Sequence, residues 1–252
     1  MSWSEAVLLV GAGVLGGLTG SIAGLASVAT YPALLLVGLP PVSANVTNTA
    51  ALVFNGIGSI AGSRPELRGQ RAQLQRLVPI AVAGGVVGAV LLLSTPADGF
   101  EKLVPLLLGV ASVAILLPVR PRPDTSVTTR RRTRVLLVAT LIFAICIYGG
   151  YFGAAAGVLL LAVLLRLNRG SLAEANAGKN VVLGVANTVA AVIFAAVADV
   201  RWDAVLVLGL GCLVGSRMGP VVVRHAPAGP MRLAIGVAGL ALAARLGWDA
   251  YR

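Results

Sequence analysis

GGLTGSIAG, residues 16–24, lies in the middle of an apolar run that extends from about residue 6 to about residue 39. A helix needs about 20 apolar residues to cross the hydrocarbon core of a bilayer. This run is therefore too long for one crossing, and its small residues mark the place where it gives way. Inside hydrocarbon a freed backbone N–H or C=O must be buried in protein or line a cavity, and glycine tolerates both the unwinding and the close approach this requires. The same arrangement recurs at GGYFGAAAG, residues 149–157, inside a second long run at about 134–166.

The segments just beyond the two interruptions also match each other, ANVTNT at 44–49 and ANAGKN at 175–180. The chain is thus expected to be a duplicated unit: a first membrane repeat over 1–118, a second over 134–252, and a basic cytoplasmic linker, 119–133, between them. Apolar segments fall at about 6–39, 42–62, 77–94, 101–118, 134–166, 177–198, 203–221 and 231–247. The predicted fold is an all-α polytopic membrane protein, with about eight hydrophobic segments in two inverted repeats and an interrupted first segment in each.

Composition agrees with a membrane location. Of the 252 residues 58% are hydrophobic and 12% charged, against roughly 25% charged in a soluble domain, and the mean hydropathy is +0.93. The net charge of +11 would suggest nucleic acid in a soluble chain. Here the basic residues occupy short segments between apolar runs, which is how topology is set. If each long run is a hairpin that enters and leaves on one side, one face of the membrane receives 16 of the 20 Lys and Arg residues, against 13 if each crosses once. The positive-inside rule selects the hairpins. The first then opens outward and the second inward, so the halves are inverted, an architecture common among secondary transporters. Asp98, Glu101, Asp199 and Asp203 fall in the outer loops.

Several chemistries are disfavoured. GAGVLG at 11–16 matches a dinucleotide fingerprint, but no acidic residue lies between Glu5 and Glu66 to hold a ribose. Ser21, Ser27 and Ser59 have no histidine partner, and the single histidine, His225, belongs to a basic loop, so a hydrolase is not expected. Cys146 and Cys212 sit alone in apolar segments, without disulfide or zinc spacing. No cofactor or metal is implied, and the N-terminal run reads as membrane structure rather than a removed signal.

Candidate binding residues come from the interruptions and the polar clusters after them. Gly20, Gly24, Gly153 and Gly157 allow unwound backbone whose N–H groups bind an anion, or simply close helix packing. Asn45, Thr47, Asn48 and Thr49 in one half and Asn176, Lys179 and Asn180 in the other offer donors to a small oxyanion, or cap and bridge helices. Lys179 either draws an anion to the junction of the repeats or snorkels to the cytoplasmic interface. Asn55 and Asn187 rank below these.

The stretches GGLTGSIAGLASVATYPALLLVGLPPVSANVTNTAAL, YGGYFGAAAGVLLLAVL and EANAGKNVVLGVANT together resemble the sulfite exporter TauE/SafE family of membrane permeases. The resemblance implies a multi-pass carrier in the plasma membrane for sulfite, organosulfonates or related sulfur-containing or organic anions. By position, it places the site on the residues just named. The expected partners are a small anionic substrate and the lipid bilayer, with no nucleic acid and with a homo-oligomer left open. A passive anion channel and a non-transporting membrane anchor subunit are the alternatives.

Overall fold

The computed structural model describes residues 1–96, 131–154, 156–167 and 171–225, together with scattered residues within 99–113 and 233–248. The apolar segments expected at 101–118 and 231–247, Asp98, Glu101 and most of the linker lie largely or wholly outside the described residues.

Among the described residues nine helices follow one another: α1 (Trp3–Ala23), α2 (Ala26–Leu36), α3 (Pro41–Gly62), the single turn α4 (Arg64–Leu67), α5 (Arg71–Ser94), α6 (Arg131–Tyr151), α7 (Ala156–Leu167), α8 (Leu172–Val197) and α9 (Trp202–His225). Four of them, α1, α5, α8 and α9, are long and apolar enough to cross a membrane.

Local chemistry explains most of these limits. Ser2 opens α1 and Ser171 opens α8 with the same reciprocal cap: the serine hydroxyl accepts from the third residue's N–H, while Glu5 or Glu174 accepts from the serine N–H. Pro41 starts α3, where its missing N–H costs nothing.

Both long runs break, each at a glycine in the left-handed region. Gly24 has φ 76° and closes α1 by donating its N–H to Gly20 O at 2.7 Å. Gly153 has φ 75°, and Phe152 and Gly153 both donate to Tyr148 O at 3.0 Å. The break is narrower than the glycine-rich stretch suggests. Helix α1 continues through Gly16, Gly17 and Gly20, and only Gly24 and Leu25 separate it from the 11-residue α2.

The helical glycines upstream have a packing role. A Cβ on Gly13 or Gly17 would strike the backbone around Cys212 of α9, and one on Gly211 or Gly215 would strike that of Val10 or Val14 of α1. The α5–α6 contact is built alike, with Gly84 and Gly88 against Cys146, Ile147 and Tyr151. In lipid, where no water drives apolar surfaces together, the close packing that this backbone-to-backbone approach permits is one source of attraction between helices. Both contacts pair a helix from before the linker with one from after it, and α3 crosses α8 between them with Gly56 facing Gly184.

The crossing is antiparallel, as hydrogen bonds at its ends establish. At one end Ser43 Oγ donates to Asp199 O at 3.0 Å and Arg201 N donates to Thr47 Oγ1 at 3.1 Å, joining the start of α3 to the turn after α8. At the other, Gln70 Nε2 donates to Glu174 O at 2.9 Å, joining the turn before α5 to the start of α8.

Candidate functional site

The two broken helices meet at the α3–α8 crossing and leave a cavity there. Its space open to the centres of water molecules is about 30 Å³, room for roughly two waters. Gly20, Gly24 and Gly153 line it from the breaks, and the first turn of α2 contributes Ala26 and Ser27. Leu25, at the cap position of α2, has no side-chain oxygen to satisfy that turn, so the positive end of the half-helix faces the cavity without a capping group.

The remaining polar wall comes from α3 and α8: Asn55 and Ser59 from one, Lys179, Asn180 and Asn187 from the other. Lys179 is 1% exposed. Its Nζ donates to Gly20 O at 3.1 Å and Ser21 O at 3.2 Å, the carbonyls at the C-terminal end of α1. The ammonium therefore sits at the negative end of that helix, inside the protein rather than on its surface. No carboxylate lines the cavity among the described residues. Two amide atoms in its wall, Asn180 Nδ2 and Asn55 Oδ1, are buried without a hydrogen-bond partner.

Several residues singled out in the sequence do structural work beside the cavity instead. Asn176 Nδ2 donates to Ser21 O at 2.9 Å, and Asn45 Nδ2 donates to Tyr151 O at 2.8 Å. Each asparagine thus holds the terminal turn of the other half's first helix. Asn48 donates to Ser27 Oγ at 3.1 Å and accepts from Thr30 Oγ1, tying α3 to α2. Thr47 receives the Arg201 N–H, and Thr49 Oγ1 bonds back to Asn45 O at 3.0 Å. Gly157 does not line the cavity; it packs backbone to backbone on Gly24. Of the clusters after the breaks, only Lys179 and Asn180 reach the cavity wall.

Asn55 and Asn187, which rank below the clusters after the breaks, line the wall, as does Ser59, in the sequence only a serine without a histidine partner; the signal that points to all three is periodicity. Asn48, Asn55 and Ser59 on α3, and Asn180, Gly184 and Asn187 on α8, recur at helical spacing, so each set lies along one face of its helix.

A family model described as sulfite exporter TauE/SafE matches residues 9–246. The chain belongs to that family. Its relatives include the probable membrane transporter protein ORF9 of a Sinorhizobium species, 27% identical over 238 residues that cover 93% of this chain and 89% of the relative. The probable membrane transporter protein YfcA of Escherichia coli K12 is 28% identical, with 94% and 88% covered. A probable membrane transporter protein of Haemophilus influenzae is 26% identical, with 81% and 79% covered. This TauE/SafE chain is a membrane transporter and not an enzyme.

Proposed function

We propose that the protein is a multi-pass secondary transporter of the plasma membrane that moves small anions, sulfite or organosulfonates and related sulfur-containing or organic anions, by alternating access between two inverted repeats. The observation that carries this reading is Lys179: a buried ammonium in the wall of a cavity that no carboxylate lines among the described residues. Such a site attracts an anion and repels a cation. Asn180 Nδ2, left without a partner, and the uncapped start of α2 add donors to the same space. The antiparallel crossing of α3 and α8 supplies an element that can rock about the cavity and expose it to one side at a time. An inside-negative potential of 100 mV would expel a monovalent anion with about 2.3 kcal/mol, which favours export.

Counterflow in proteoliposomes tests this reading. Vesicles loaded with unlabelled sulfite should take up labelled sulfite transiently and saturably, and loading with other small anions should substitute in part. Conductance without saturation or counterflow would replace the carrier with a passive channel. No flux with any anion would leave a membrane anchor subunit.

A further inference from the structure

The wall of the cavity specifies more than the sign of the ligand's charge. Lys179 is the one charged side chain that lines it among the described residues. Burying a charge without a counter-charge is costly. One negative charge balances this ammonium, and a dianion would leave a second charge buried and unpaired.

Hydrogen-bonding capacity narrows the ligand further. An ammonium has three N–H donors, and Gly20 O and Ser21 O take two of Lys179's. The third, together with the unpartnered Asn180 Nδ2, is available to ligand oxygens. Asn55 Oδ1 asks for the opposite, since it is an acceptor buried without a donor on the same wall. Ser59 cannot supply that donor, because its hydroxyl hydrogen goes to Gly56 O at 3.1 Å. A fully deprotonated oxyanion would repel this carbonyl oxygen; a ligand hydroxyl would satisfy it.

We propose that the cavity selects a small monoanion that retains a hydroxyl, so that among sulfur oxyanions it takes hydrogen sulfite and refuses sulfite and sulfate dianions. This rests on the transport reading above and narrows its substrate to one protonation state. The carrier binds an ion already protonated in solution, with no proton transferred in the site.

Counterflow of labelled sulfite by the wild-type protein tests the proposal, with total sulfite titrated at each of several pH values that span the second dissociation of sulfurous acid. Methanesulfonate, monovalent throughout but without a hydroxyl, and sulfate, divalent throughout, serve as competitors. The half-saturating concentration of total sulfite should rise about tenfold for each pH unit above that dissociation, following the hydrogen sulfite fraction. Inhibition by methanesulfonate, which carries no titrating group, should fall less steeply over the same range and be weaker than that by hydrogen sulfite, and sulfate should not compete. Half-saturation that is flat with pH, or sulfate competing as well as sulfite, would overturn the proposal while leaving the transporter intact. Absence of saturable exchange with every anion would overturn both.

Discussion

Gly24 and Gly157 stand back to back: a Cβ built on either would overlap the other's Cα. The pair joins the break in the first half to the start of the half-helix α7 in the second, beside the cavity that Gly24 lines. No side chain fits between them, and Gly24 in addition needs its positive φ.

Alanine at either position should therefore destabilise the protein, for two separable reasons. At Gly157 the cost is overpacking, about 1–3 kcal/mol. At Gly24 the left-handed backbone adds about 1–2 kcal/mol. Gly38→Ala isolates the second effect, because Gly38 has φ 85° with no atom within 4 Å of the added Cβ. Gly11→Ala, in the middle of α1 and equally open, should be neutral or stabilising by up to about 1 kcal/mol. Thermal unfolding of the four detergent-purified variants should rank Gly11→Ala highest, then Gly38→Ala, with Gly24→Ala lowest.

The asparagines divide into holders of helix ends and residues of the cavity wall, and the two roles have opposite signatures. Asn45→Ala and Asn176→Ala each remove a bond to a terminal carbonyl, at 2.8 and 2.9 Å, and should lose about 1–2 kcal/mol of stability. Asn180→Ala removes an Nδ2 that bonds to nothing. It should leave the unfolding midpoint near wild type and raise the half-saturating anion concentration several-fold. Equal stability losses at all three positions would contradict the division.

The positive-inside rule predicts the sidedness of the α3–α8 crossing, with its Gln70–Glu174 end cytoplasmic and its Ser43–Asp199 end outside. Arg68 and Asp199 are both exposed, near opposite ends of that crossing. Cys146 and Cys212 are fully buried and should give little background with a thiol reagent. In intact cells a membrane-impermeant maleimide should label Asp199→Cys, and it should label Arg68→Cys only after permeabilisation. The reverse pattern would invert the positive-inside assignment.

Much of this architecture was legible because membrane burial leaves coarse marks in a sequence. A run too long for one crossing announced each broken helix, and the shared Asn-rich segments announced that the break occurs twice. The position of the break within GGLTGSIAG was not legible. Gly16, Gly17, Gly20 and Gly24 look alike as letters, yet Gly16, Gly17 and Gly20 serve close packing within a continuous helix and only Gly24 turns the chain. The site was blurred for a related reason. Composition drew attention to Asn45, Thr47 and Thr49, whose Nδ2, Oγ1 and Oγ1 atoms respectively bond to backbone outside the cavity. Which face of α3 meets the cavity depends on the partner helix, and only the spacing of Asn55 and Ser59 hinted at it. The partners of Lys179, the carbonyls of Gly20 and Ser21, lie 159 and 158 residues away along the chain, and no local pattern encodes them.

Lys179 offers the most direct test of anion selection by the cavity. Saturable sulfite counterflow should be compared in the wild type and in Lys179→Gln, whose amide can still donate to the end of α1, with the unfolding midpoint of each protein measured alongside. Removal of a charged hydrogen bond of about 1.5–3 kcal/mol should raise the half-saturating concentration roughly 10- to 100-fold, with a much smaller change in stability. Wild-type half-saturation and anion selectivity in a folded Lys179→Gln protein would contradict the account and leave Lys179 as a cap for α1 alone.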